Sequence, residues 1–517
     1  MSELFTKISK YFLYTLFGLI FVGVMSQLFF EKDTSAFLNY VKNLGGSGNE
    51  VVVSAIEDLR VVYPDEPLAL EPTLADPVTR QRLNNIYESL VKTDRDLKIR
   101  PALAVNWGLI DDYTWELRLR PDVKFQDGSS FDSLDVKISI ERAMNYSSSE
   151  LVGIVSTMDT IEIKDGLTLQ IKTIEPDPLL LQRLAMILIV PSEYQDKEMS
   201  QPVGTGSYKF KSWENGKKIV LERFDGYWGE KAKFKTVEMN SVVDKFERVQ
   251  MLLDEQADLL AFVPYDGVDL VRQSGFQIAT IPSLEVQFLL FNMKSKLLSD
   301  VRNRVLVSAT LNQPDLIEAV GGYARSVSQF VGSGIFGFNP YIPDHVYDIE
   351  AAKNLADTTQ LKGKTLQFHL VKGLTVLGDY VRSKLAEVGV NVVVSYLEDQ
   401  ALLDSMEKGK ADIYFMGFES GIGDASTFLY YIAYSQGPYA FWGYVNEYVD
   451  KLITASMTEM DVMGRRKDLQ EAMKVLIVDD VLGVPLFEYE TVYAFNDKLS
   501  ISPRVDGIIY FDELTVK

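Results

Sequence analysis

Alternation and helical spacing of apolar positions divide the chain into short elements. Residues 114–120 (TWELRLR) set Trp115, Leu117 and Leu119 on one side and Glu116, Arg118 and Arg120 on the other, which predicts a half-buried strand. Two further alternating runs, 161–164 and 167–171, flank Asp165-Gly166 and predict a hairpin around that turn pair. Phe246, Val249, Leu252 and Leu253 recur at helical spacing, so 246–254 reads as an amphipathic helix, followed by a buried strand over 259–263. Residues 366–371 predict a strand, and 376–388 a helix with Leu377, Val381, Leu385 and Val388 on one face. Gly389 stops that helix and 390–394 resumes a strand. This is a βαβ unit, for which a parallel pair with a right-handed crossover is expected. Leu469, Met473, Leu476 and Ile477 mark another amphipathic helix. No internal repeat or low-complexity block interrupts the pattern, and the body reads as α/β with more than one sheet.

The N-terminus differs. Residues 11–30 carry no charge and have no polar face, and 20 residues at about 1.5 Å rise span a hydrocarbon core of about 30 Å. Lys7 and Lys10 precede the run, which favours residues 1–10 staying in the cytoplasm and the remainder lying outside. Two readings stay open: a signal peptide cut near Val24-Met25-Ser26, or an uncleaved anchor. The anchor is preferred because the apolar run continues to Phe30. Residues 31–50 then form a polar tether ending in Gly and Ser.

Composition removes most chemistries. The 517 residues allow about three domains' worth of chain, and 47% hydrophobic residues suffice for a large core. With 52 Lys+Arg against 73 Asp+Glu, the net charge of −21 repels phosphate backbones, so nucleic-acid binding is not expected. Without cysteine there are no disulfides, thiolate metal sites or thiol nucleophiles. Two histidines, His345 and His369, do not make a multi-histidine metal centre and read as incidental. No cofactor, metal or catalytic residue is expected. Acidic pairs suit acid–base work in principle, but no nucleophile motif, metal spacing or histidine base supports an enzyme. Gly332-Ser333-Gly334 lacks the lysine of a phosphate-binding loop.

Several segments then share an order as well as a content. They are Ile86-Tyr87-Glu88-Ser89-Leu90, Pro101-Ala102-Leu103-Ala104 with Trp107, and Trp115 through Phe125. Next come Asp127-Gly128, then 131–136, Pro202-Val203-Gly204-Thr205-Gly206-Ser207-Tyr208, Tyr227-Trp228-Gly229, Phe291-Asn292 and 300–304. As an ordered set they resemble the family-5 extracellular solute-binding proteins, the oligopeptide- and dipeptide-binding components of ABC importers, from about residue 51 to the C-terminus. The resemblance implies an α/β, two-lobe, type II periplasmic-binding-protein fold with an inserted subdomain, here preceded by one transmembrane helix. Carried over, lobe I comprises 51–84, 201–290 and 489–517, the inserted subdomain 85–200, and lobe II 291–488. It implies capture of a peptide or similar solute and delivery to ABC permease subunits, by a monomer outside the cytoplasm.

Ligand contacts follow from the same likeness. Residues 416–425 resemble a family loop in which Phe418 stands at the aromatic position and Asp424 at the second acidic one. Gly421 stands where many peptide binders carry the aspartate that meets the peptide's ammonium, so amine recognition is in question, and Glu419 is its candidate substitute. Asp424 reads either as a ligand contact or as a loop cap. Glu285, Gln287 and Phe288 lie at the expected lobe crossing, as cleft lining or as strand packing. Gly204 and Thr205 either admit a ligand to the backbone or make a tight turn. Tyr439, Trp442 and Tyr444, with Phe441, are either a sugar- or peptide-binding face or core. Asp450 is expected to cap a helix. The alternatives are an oligosaccharide ligand and a membrane-tethered solute sensor of the same fold.

Overall fold

A computed structural model describes residues 57–517 except 198, 200 and 360. The predicted membrane segment 11–30 and tether 31–50 lie outside the described residues. Among those described, no helix is long and apolar enough to cross a membrane. The chain divides into two compact units: one runs to Ile281 and resumes over Thr491–Lys517, the other is Pro282–Glu490. The chain passes between them within two long strands, Gln277–Phe291 and Gly483–Phe495.

In the first unit, Asp58–Tyr63 pairs in parallel with both Thr236–Ser241 and Leu259–Leu260. Lys218–Arg223 and Tyr208–Glu214 extend the sheet antiparallel on one side, and Phe495 and Ala494 close it against Leu259 and Leu260 on the other. The predicted helix is Lys245–Leu253, started by Asp244, whose carboxylate accepts from the amides of Phe246 and Glu247. The strand expected over 259–263 stops at Leu260. Phe262 turns it with a left-handed φ of 56°, a conformation that breaks a ladder.

The inserted part has its own antiparallel sheet, ordered Ala104–Asp111, Thr114–Leu119, Thr168–Thr173, Met158–Asp165. The D-G hairpin forms as predicted, with Ile161 opposite Ile171 and Ile163 opposite Leu169. Leu117 and Leu119 point into a core built with Leu169, Ile171 and the helix Ser133–Asn145, which opens with a reciprocal capping box between Asp132 and Asp135.

The second unit holds the βαβ unit. Thr365–Val371 pairs in parallel with Asn391–Leu397, and the helix Thr375–Ala386 crosses between them. Gly389 follows at φ 77°, a left-handed value that glycine accepts without strain. Ile413–Glu419 pairs in parallel with Thr365–Val371 and antiparallel with Gln277–Phe291, so the latter strand lies between Ile413–Glu419 and Gly483–Phe495. Leu366, Phe368, Leu377, Val381, Leu385 and Ile413 form the core beneath. Asp450 is not the cap it was expected to be. Asn446 caps Glu447–Thr458, and Asp450, one turn inside, accepts from the amide and hydroxyl of Ser435 at 2.9 and 2.5 Å.

Candidate functional site

The strand pair at the start of the second unit gathers most of the polar residues nominated from sequence. Glu285 stands opposite Glu419, Val286 opposite Phe418, Gln287 opposite Gly417 and Phe288 opposite Met416. Because side chains alternate across a strand, these residues separate onto two faces. Val286, Phe288 and Phe418 share one. There Phe288 meets Phe330 and Phe428 edge-on at 5.2 and 5.7 Å, and Phe418 meets Phe428 at 5.3 Å. That face is apolar packing.

The other face carries Glu285, Gln287, Gly417 and Glu419. Gly417 has no side chain, and the Glu285 carboxyl lies over it. A Cβ there would come within 1.9 Å of Glu285 Oε1 and 2.8 Å of Gln287 Nε2. Glu285 is 7% exposed and Gln287 fully buried, yet Glu285 Oε1 and both amide atoms of Gln287 meet no hydrogen-bonding group. Buried polar atoms left bare in this way cost about 1–3 kcal/mol each. Burial pushes the Glu285 carboxyl up to about 8, and the charge of Glu419 adds to it. The Gln287 amide, close by but not bonded, works in the opposite direction. Tyr489 faces the same carboxyl from the neighbouring strand, its phenol raised by burial and by Glu285. One residue earlier, Glu488 is buried and pushed up to about 7 by desolvation, with Arg325 opposing and Glu490 assisting. Its Oε2 lies 2.8 Å from where a Cβ on Gly332 would sit.

The loop after Ile413–Glu419 is folded tightly. The Ser420 amide donates to Leu284 O at 3.2 Å and the Gly423 amide to Ser420 O at 2.8 Å, while Ser420 Oγ is buried without a partner. Gly421 is exposed, and the Cβ it lacks would stand 3.8 Å from Glu419 Oε1. Glu419 Oε1 therefore lies beside position 421. Asp424 is fully buried. It starts the short helix Ala425–Phe428 by accepting from the Ser426 amide and hydroxyl, and it forms a two-pronged ion pair with Arg465 at 2.6 and 2.8 Å. Arg465 Nε donates in turn to Ser456 O at 2.8 Å.

The remaining nominated residues make internal contacts. Tyr439, Trp442 and Tyr444 are buried; Trp442 Nε1 donates to Ile432 O and the Tyr444 hydroxyl to Asp480. In the first unit, Gly204 lies so close to Ile86 that a Cβ would stand 2.2 Å from its carbonyl oxygen. Thr205 Oγ1 donates to Glu88 at 2.8 Å. Glu88 also accepts from the Tyr227 hydroxyl at 3.0 Å and Trp228 Nε1 at 2.8 Å. Burial pushes Glu88 up to about 7 against these three donors.

Gly417, Ser420, Glu488, Tyr489 and Arg465 were not nominated from sequence. The available signal was a charge inside an apolar strand, as in 284–291 (LEVQFLLF) and 483–488 (GVPLFE). Among the described residues, no group of three or more His, Asp or Glu side chains is placed to hold a metal.

Comparison with known proteins adds the following. A family model described as bacterial extracellular solute-binding proteins, family 5 Middle, matches residues 98–440. The glutathione-binding protein GsiB of Salmonella paratyphi A is 24% identical over 470 residues, covering 86% of this chain and 92% of its own. Among solved structures, the ABC transporter substrate-binding protein CtaP of Listeria monocytogenes superposes with a TM-score of 0.81 at 20% identity, covering 90% of this chain and all of that one. The periplasmic binding protein DppA of Helicobacter pylori, in complex with the peptide STSA, superposes at 0.71 with 22% identity, covering 89% and 98%.

Proposed function

Since the chain belongs to the bacterial extracellular solute-binding proteins of family 5, we propose that it captures a short peptide and hands it to an ABC permease for import. Its fold is the two-lobe periplasmic-binding-protein fold. Relatives and structural neighbours whose names state a ligand include a glutathione binder, a murein tripeptide binder and a DppA holding STSA, beside nickel and agropinic-acid binders, which favours a small peptide-like solute over an oligosaccharide.

On this reading the solute meets the strand face that bears Glu285, Gln287 and Glu419. The observation that carries it is Glu419 Oε1 beside exposed Gly421, a carboxylate reaching to where many peptide binders keep their amine-binding aspartate. Asp424, held by Arg465, shapes the loop without touching cargo. Phe288, Phe418, Tyr439, Trp442 and Tyr444 back the site as packing, and Gly204 and Thr205 fix a turn in the first unit. The cargo leaves chemically unchanged. Residues 11–30 anchor the protein, uncut, on the outer side of the membrane, and it acts as a monomer.

Native mass spectrometry of protein purified from its own host tests these points together. A retained peptide mass and an intact N-terminus are expected. A retained glycan, or a mass lacking residues 1–26, overturns the corresponding part. A ligand that binds the folded chain in preference to the unfolded one raises its melting temperature, so a peptide library should produce shifts that a glycan library does not.

A further inference from the structure

We propose that Glu285, whose carboxyl lies over Gly417, receives a positively charged group of the cargo, an ammonium or guanidinium. This rests on the solute-binding reading above and narrows it to cationic cargo.

Three features point the same way. First, the carboxyl is held at one place: the strand lacks a side chain at 417, and Glu285 Oε1 lies where a Cβ would stand, with Gln287 Nε2 beside it. Second, the acceptors are unspent. One carboxylate oxygen and both ends of a fully buried amide make no hydrogen bond, where buried groups ordinarily do. An ammonium brings three donors and no acceptor, and a guanidinium five. Third, the local charge is one-sided. Glu419 faces Glu285 directly from the opposite strand, like charges set across a ladder, and Tyr489 faces it from the other flank. Among the described residues Glu285 makes no ion pair with a lysine or arginine. An anionic group would be repelled there.

The balance of charge gives the site a measurable signature. Empty, Glu285 holds its proton at neutral pH, because desolvation and Glu419 both disfavour the carboxylate. A docking cation favours the ionised form. The carboxylic acid then gives its proton to solvent as the cation enters, and a carboxylate–cation pair remains.

The test is calorimetric titration of the full-length protein at pH 7 in phosphate and in Tris, whose different ionisation enthalpies count released protons. The probes are trialanine against N-acetyl-trialanine, and acetyl-Ala-Lys-Ala against acetyl-Ala-norleucine-Ala. In at least one pair the charged member is expected to bind tenfold or more tighter, with close to one proton released. Glu285→Gln, the same size without the charge, should abolish both the preference and the release; its unliganded melting temperature shows that it folds. Gly417→Ala should weaken the charged member at least tenfold. Neutral probes binding as tightly as charged ones, or charged probes binding without proton release, overturn the inference and leave the solute-binding reading standing. An unchanged preference in Glu285→Gln also overturns the inference alone. If no probe binds, both fall.

Discussion

Two buried glutamates, one in each unit, have similar titration behaviour and opposite surroundings. Glu88 is wrapped by Thr205, Tyr227 and Trp228, each donating to its carboxylate within 3.0 Å. Glu285 has a bare oxygen beside a bare amide. Both are pushed up by burial, to about 7 and about 8. A raised pKa alone therefore does not distinguish a fastener from a receptor; what distinguishes them is whether donors already surround the group. Asp424 is a third case, neutralised outright by Arg465.

The comparison can be broken by substitution. The largest effect is expected at Asp424→Ala, which strands a buried guanidinium and should cost about 3–5 kcal/mol in urea unfolding of the second unit. Glu88→Ala leaves three donors unmet and should cost about 3 kcal/mol. Glu285→Gln should fall within about 1 kcal/mol of the parent at pH 7, because it replaces a carboxyl that is already protonated there with a neutral amide of the same size. If Glu88→Ala and Glu285→Ala lose equal stability, the distinction between the two glutamates fails.

A smaller effect sharpens it. A carboxyl whose pKa is higher folded than unfolded binds more protons in the folded state, so it loses stability as pH rises between the two values. The stability difference between parent and Glu88→Gln should fall from about pH 4.5 and level off past about 7. For Glu285→Gln it should continue falling to about 8, so that from pH 7 to 8 the second difference changes by up to about 1 kcal/mol and the first hardly at all. Unfolding curves at half-unit pH intervals measure both. A difference that rises with pH would contradict the burial of the group concerned.

How much of this was legible follows from distance along the chain. The D-G hairpin, the βαβ unit and the helix Lys245–Leu253 are local patterns, and alternation or helical spacing suffices to find them. Glu285 and Gln287 were nominated by their place at the expected lobe crossing, and Glu419 by the loop resemblance. That Glu285 and Gln287 lie over Gly417 could not be read, since it depends on the register between two strands far apart in sequence. Asp424 was left open between ligand contact and cap because its partner, Arg465, lies 41 residues away on another helix. Asp450 was placed one turn wrong because Asn446, an equally good cap, precedes it. Phe262 ended a strand early through a backbone angle that apolar periodicity does not encode.

The order in which the first unit is assembled has a bearing on how the protein is made. Its sheet is closed by Ala494 and Phe495, and Asn85 is held at both ends by Ile509 and Phe511, the first of them 424 residues later in the chain. Until those residues leave the ribosome, the earliest-made half lacks its final strand, while the later-made half has all its own segments. A nonsense mutation that removes residues 494–511 would thus damage the part of the molecule synthesised first.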